Sequence, residues 1–178
     1  MPKIAIVNDK DEIIGAAEKS EARIQGQIHR IVRVLLHDGR GNVLLQKRHP
    51  KAQDSPNCWD FSVAGHVDEN ESYEVAAKRE MEEELGLRNI ALEPLFKFYT
   101  DKVKDGAHIR RFNKVFLAQI ASKVVHPNLA ELGGVEWFAK SQITEMIHSR
   151  PDLFSSGLKE HYSQIAEKLV YIASDISD

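Results

Sequence analysis

The 178-residue sequence holds one cysteine, Cys58. A lone thiol excludes an internal disulfide framework and any zinc site built from several cysteines, and it suits a reducing compartment. No apolar run is long enough for a membrane span or a signal-peptide core, because charges recur every few residues from the opening MPKIAIVNDKDEIIG onward. The expected location is cytoplasmic, with no membrane partner. Basic blocks are missing as well. Lys and Arg number 24 against 27 Asp and Glu, for a formal charge of -3, which argues against a nucleic-acid polymer gripped along its phosphate backbone. Any anionic ligand should be small. Linkers, repeats and low-complexity tracts are also absent, and a chain of this length with 42% hydrophobic residues can bury one good core rather than two. The expectation is one domain over residues 1–178, with 1–27 as an N-terminal hairpin extension and 28–170 as the core. Nothing in the sequence sets the oligomeric state; a homodimer is compatible with it.

Strand signals open the chain. Residues 3–7 and 13–17 flank the turn-rich NDKDE, and residues 28–36 and 42–46 flank HDGRG, where Asp-Gly readily supplies positive φ. The stretch KRHPKAQDSPNCW, with two prolines and no period, reads as a loop that delivers the chain to a short strand at WDFSVAG. From Glu71 to Leu85 the pattern turns helical, with Gly86 placed to end it. Further strands are expected at 95–100, 113–120 and 135–139, and helices at 141–148 and 158–173. In the last, Leu158, Tyr162, Ile165, Leu169 and Ile172 recur on one face. Strands mixed with a central helix and terminal helices imply an α/β or α+β sandwich.

The stretch GHVDENESYEVAAKREMEEELGL, Gly65 to Leu87, carries eight carboxylates. With Glu80 set at zero on a helical wheel, Glu83 falls at about 300° and Glu84 at about 40°, so three carboxylates share one narrow stripe. Ala77, Met81 and Leu85 cluster at roughly 60° to 140°, a buried face beside that stripe. Glu82 points away from both, and Asp68, Glu69 and Glu74 also read as solvated. Like charges at these spacings repel by a few tenths of a kcal/mol per pair, about what a helix built only for solubility would avoid by interleaving Lys. Carboxylate oxygens at this spacing suit a hard cation such as Mg²⁺ or Mn²⁺. An EF-hand loop, imitated by Asp68, Asn70 and Ser72, fails at Tyr73 and Arg79, where it needs Gly and Glu.

Gly65, Glu71, Arg79-Glu80-Met81, Glu83-Glu84 and Gly86-Leu87 resemble, without a gap, the Nudix box G-x5-E-x7-R-E-U-x-E-E-x-G-U, in which U is a bulky aliphatic residue. The resemblance implies a Nudix fold, a mixed sheet sandwiched between helices, with an N-terminal hairpin added here. It implies divalent metal, Mg²⁺ or Mn²⁺, on Glu80, Glu83 and Glu84 with the Gly65 carbonyl, and Arg79 orienting the carboxylates with support from Glu71. It also implies hydrolysis of a small molecule in which a diphosphate is linked to another moiety, by water attack on phosphorus. Glu80 is the expected base, with Glu83 and Arg79 completing the catalytic set. Gly65 and Gly86 are expected either to permit tight turns or to serve a more specific role.

Outside the box, VNDKDEIIGAA, QIHRIVRVLLHDGRGNVLLQKR and CWDFSVAGHV look like the subgroup containing type I isopentenyl diphosphate isomerase. His66 and His29 match histidines of that enzyme; each reads either as a metal ligand or as a hydrogen-bonded structural residue. The isomerase's catalytic cysteine is replaced by Ala64, and a methyl group cannot exchange a proton with an allylic carbon. Near the place of a glutamate that the isomerase uses stand Arg110 and Arg111. Hydrolysis is therefore favoured over isomerisation, and a non-catalytic nucleotide- or diphosphate-binding module is the other alternative. Arg48, Lys51, His66, Arg110 and Arg111 are candidates to contact substrate, the cations by donating to phosphate oxygens. Loops at 49–57 and 102–110 are expected to recognise the rest of the substrate. Cys58, Trp59, Phe61 and Trp137 read as packing residues.

Overall fold

A computed structural model describes residues 3–104, 106–121 and 124–174, with side chains through residue 169 of the final helix. Strands β1 (Ile4–Val7) and β2 (Ile13–Ala17) form the expected opening hairpin, with Asp11 at φ 63° in its turn. An unforeseen short helix, α1 (Lys19–Ile24), leads to β3 (His29–His37) and then β4 (Asn42–Arg48). The short strands β5 (Trp59–Asp60) and β6 (Val63–His66) precede helix α2 (Tyr73–Leu85). The long strands β7 (Glu93–Lys104) and β8 (Ala107–Gln119) are followed by β9 (Leu132–Ala139), α3 (Lys140–Ser149), a 3-10 turn at Pro151–Leu153 and α4 (Ser156–Ser174).

β3 organises the mixed sheet. It runs parallel to β8 from His29↔Arg111 to His37↔Gln119. Its antiparallel partners are, in turn, β1 at His29, β6 from Ile31 to Val34, and β4 at Leu36 and His37. Strand side chains alternate between faces, and the core divides accordingly. Val32, Val34, Leu36 and Leu44 pack towards Ala77, Met81 and Leu85 of α2. Leu35, Val43 and Leu45 pack towards Ile143 of α3 and Leu158, Tyr162, Ile165 and Leu169 of α4. Each such buried side chain stabilises by about 1.5–3 kcal/mol. The sandwich expected from the sequence is the one observed. The side chain of Ile172, expected on the same α4 face, lies outside the described residues.

One local expectation is corrected. The stretch 102–110 is not a recognition loop: β7 and β8 pair in register through Lys104↔Ala107. Alternating polar and apolar residues there are what a strand with one wet face requires, and Gly106, at φ 76°, lies in the turn.

Asp11 ties the N-terminal hairpin to the core. Its carboxylate accepts Arg30 Nε of β3 at 2.7 Å and the Tyr73 hydroxyl of α2 at 3.0 Å, and pairs with Lys97 Nζ of β7. The side chain is only 6% exposed, so these partners replace water around a buried charge.

Candidate active site

Ser72 caps α2 by accepting the Val75 N–H at 3.2 Å, and Gly86, left-handed at φ 69°, ends it. This fixes the helix register and therefore the carboxylate stripe. Arg79 projects from it and binds Glu71 through a fork, Nε to Oε1 at 2.8 Å and Nη2 to Oε2 at 2.9 Å. Its Nη1 reaches Glu80 at 2.9 Å and Glu83 at 3.1 Å, while Nη2 also donates to the His66 carbonyl at 2.9 Å. One guanidinium thus holds three carboxylates and the β6 backbone, work that a planar fork performs and an ammonium group does not. The hydrogen bonds from Arg79 hold the Glu71 carboxyl below its usual range.

Of the two roles open to Gly65, the turn is not the one it plays. Its backbone is ordinary strand, without positive φ, but a Cβ there would lie 1.9 Å from the Glu80 Cδ. The Glu80 carboxylate therefore rests on the bare Gly65 backbone. Gly86 does serve the expected turn.

Glu80 is mostly buried, and burial raises its carboxyl to about 7 against the lowering effect of Arg79; Glu83 and Glu131 add to the rise. Glu84, at the wheel angle between stripe and core, is 5% exposed. It accepts the Ala64 N–H at 3.2 Å and Gln46 Nε2 at 3.4 Å, and burial, followed by the Glu80 charge, raises it well above normal. Glu83 is half exposed. Hard oxygen donors carrying crowded negative charge are what a divalent cation relieves, so Glu80, Glu83 and Glu84 suit Mg²⁺ or Mn²⁺ by donor type. Among the described residues no group of three or more His, Cys, Asp or Glu side chains is arranged to hold an ion as the side chains stand. Arg79 engages Glu80 and Glu83, and Glu84 turns to Ala64 and Gln46.

The stripe lines a cavity of about 940 Å³. Asp68 and Glu131 add carboxylates to its wall, so Asp68 is not simply solvated. Other parts of the wall carry Lys19, Arg33, Arg48 and Arg111. Of the expected substrate contacts, Arg48, His66 and Arg111 line the cavity. Two do not. The Lys51 side chain is exposed in its loop, and Arg110 alternates to the other face of β8, where Nε meets the Tyr99 hydroxyl at 3.2 Å. Alternation along β8 sends the Arg110 and Arg111 side chains to opposite faces.

Arg33 was not among the expected site residues, although it is the one charge in the apolar run IVRVLL. It is 4% exposed and donates to Asn113 at 3.0 Å and Asp60 at 3.1 Å. Asp60 also accepts Arg48 Nη1 at 3.2 Å and the Ser155 hydroxyl at 2.7 Å. Lys19 and Glu131 carried no pattern that marked them. Burial lowers Lys19, opposed first by Glu80. His29 and His66 stack with centroids 5.3 Å apart, and burial depresses both, His29 to about 4 and His66 well below normal, so both rings are neutral near pH 7. None of Cys58, Trp59, Phe61 or Trp137 lines the cavity. Phe61 is fully buried, Trp59 meets Phe138 edge-on at 5.0 Å and Trp137 packs against the core facing α2.

The NUDIX domain model matches residues 27–156, which include the whole carboxylate helix and its glycine. This chain belongs to the Nudix family. It is of the Nudix pyrophosphohydrolase class. A protein of Methanosarcina mazei named prenyl-diphosphate phosphatase is 31% identical to this Nudix chain over 88% of it and 91% of the relative. An isopentenyl-diphosphate Delta-isomerase 2 of Photorhabdus laumondii is 28% identical over 90% of each chain. A crystal structure of a Deinococcus radiodurans protein superposes with a TM-score of 0.74 at 22% identity, covering 94% of this chain and 98% of the other, and shares the fold. No described helix is long and apolar enough to cross a membrane.

Proposed function

We propose that this Nudix protein is a Mg²⁺- or Mn²⁺-dependent hydrolase that cleaves a small diphosphate linked to another moiety. The observation that carries the reading is Arg79 holding Glu71, Glu80 and Glu83 together on the wall of a cavity that also presents Lys19, Arg48 and Arg111. Glu80, Glu83 and Glu84, with the Gly65 carbonyl, would hold the cation. Bound there, it would neutralise diphosphate oxygens and lower the pKa of water.

The chain's own residues supply the rest. Lys19, Arg48 and Arg111 donate to oxygens of the diphosphate and so keep its reacting phosphorus near the stripe. Glu80 takes the proton from the attacking water as the new O–P bond forms and the bridging P–O bond breaks. Glu83 sits close enough to share Arg79 with it, and Arg79 holds both carboxylates in place. The neutral His66 and His29 rings can hydrogen-bond without adding charge.

Ala64 and Cys58 favour hydrolysis over isomerisation. Ala64 puts a methyl group on the cavity wall, and the Cys58 thiol lies outside it, 3.6 Å from the Asp152 carbonyl. The Methanosarcina relative brings isoprenoid diphosphates into consideration beside nucleoside diphosphate derivatives. The test is a panel of both, scored by phosphate or diphosphate release with Mg²⁺, with Mn²⁺ and with chelator, and by proton NMR for allylic isomerisation. Metal-dependent release from at least one compound is expected, with no conversion of isopentenyl to dimethylallyl diphosphate. Isomerisation would overturn the assignment of Ala64, and tight ligand binding without any metal-stimulated product would make the protein a binding module.

A further inference from the structure

The loop between β4 and β5, residues 49–58, contributes His49, Ala52, Asp54 and Ser55 to the cavity wall. One carboxylate fastens it. Asp54 accepts Lys104 Nζ at 3.0 Å and Arg111 Nη2 at 3.4 Å, with Lys102 Nζ at 3.7 Å, and its main-chain carbonyl takes Arg48 Nε at 2.7 Å. The three cations on the carboxylate all come from the β7–β8 hairpin. Asp54 is 14% exposed, and although burial would raise its carboxyl, the Lys104 hydrogen bond with the Lys102 and Arg111 charges carries it far below the ordinary range.

Arg111 is incompletely matched by this partner. Its Nε is buried with no hydrogen-bond partner among the described residues, while Nη2 alone reaches Asp54. Burial and the nearby Arg33 charge lower the Arg111 guanidinium to about 10. Nε and an Nη of one arginine form the fork that accepts two oxygens of a phosphate. A terminal phosphate, with three oxygens and up to two negative charges, can fill both positions of the fork and meet the lysines as well. A single carboxylate satisfies less.

We propose that Lys102, Lys104 and Arg111 form a phosphate subsite whose resident anion is the chain's own Asp54, and that a substrate phosphate displaces it and releases the 49–58 loop. The proposal rests on the reading of the cavity as a diphosphate site and adds where the phosphate distal to the α2 carboxylates is held. It also makes the loop a latch that opens to the correct ligand chemistry, since only an anion can take Asp54's place. The same competition lowers apparent affinity by the fraction of molecules in which the latch is closed.

The probe is methylenediphosphonate, which cannot be hydrolysed, titrated calorimetrically into the full chain with Mg²⁺ present. Asp54→Asn should bind it roughly tenfold more tightly than wild type, Arg111→Met roughly tenfold more weakly, and the double variant should lose the gain of Asp54→Asn. Asp101→Asn, an exposed charge removed from the same hairpin, should change affinity less than about twofold. Thermal melts establish that each variant is folded. In the wild type, hydrogen exchange of amides 51–55 and 57 should accelerate as the probe saturates. Weaker or unchanged binding in Asp54→Asn would show that Asp54 organises the cations instead of competing for them. Unchanged binding in Arg111→Met, slowed or unchanged exchange in the loop, or no binding to wild type would equally overturn the proposal. Because binding is read without turnover, a protein that binds the probe as described but hydrolyses nothing fails the hydrolase reading alone. Hydrolysis with an Asp54→Asn KM equal to wild type fails the latch alone.

Discussion

Glu80 lies on Gly65 so closely that a Cβ at position 65 would stand 1.9 Å from the carboxylate carbon. The obstructed group is the far end of a flexible side chain, so Gly65→Ala should leave the fold intact while turning Glu80 away from its place beside Glu83 and Glu84. The expected outcome is a fall in kcat of about 100-fold, as for a misplaced catalytic group, with the thermal midpoint changed by no more than a few degrees. Steady-state kinetics and calorimetry on the same preparation check both parts.

Arg79 provides a second way to disturb the same carboxylates. Arg79→Lys keeps the charge but loses the fork to Glu71 and cannot span Glu71, Glu80, Glu83 and the His66 carbonyl together. Loss of about 10- to 100-fold in activity is expected, the range seen when groups that orient metal ligands are removed. The loss should appear in kcat more than in KM, because Arg79 contacts the carboxylates and not the proposed phosphate donors.

The box was readable because its chemistry needs fixed spacing on one helix, and helix geometry converts spacing directly into direction. Glu84 could even be placed near the buried face from its wheel angle. Lys19, Arg33, Arg48, Asp54, Arg111 and Glu131 come from five separate stretches, Arg48 and Asp54 sharing one, and the folded sheet and its loops bring them to one cavity. Arg110 and Arg111 illustrate the limit: as neighbours in sequence they looked equivalent, but strand alternation sends one in and one out. The β7–β8 hairpin was underestimated because its tip is polar on one side, which in a short window resembles a loop.

Acid titration should expose the crowding of the stripe. With Glu80 at about 7 in the folded protein and near the ordinary glutamate value when unfolded, the folded state holds a proton between these values that the unfolded state has released. Glu80 therefore contributes a fall in stability of the metal-free protein, on the order of 3 kcal/mol, as pH rises through that window; Glu84 acts in the same direction, and the depressed His29 and His66 act in the opposite one. Urea unfolding in chelator at several pH values checks the slope. Glu80→Gln should remove its part of the slope, making the change of stability with pH more positive than in wild type, and excess Mg²⁺ should restore stability at the upper end. A pH slope identical in wild type and Glu80→Gln would contradict the burial of an ionisable carboxylate described for the site.

Asp11 predicts a purely structural effect. Asp11→Ala leaves Arg30, only 13% exposed, without its carboxylate and frees the N-terminal hairpin from Tyr73 and Lys97. Breaking a buried pair from one side costs about 3 kcal/mol or more. Equilibrium unfolding should register that loss, while kcat of the protein that remains folded should stay near wild type.

The most direct test of the central claim is turnover of Glu83→Gln and Glu84→Gln on the best diphosphate substrate under saturating Mg²⁺, with folding verified by circular dichroism. Both carboxylates are assigned to the metal, so each variant should fall by at least about 100-fold in kcat. Undiminished turnover in both would contradict the account.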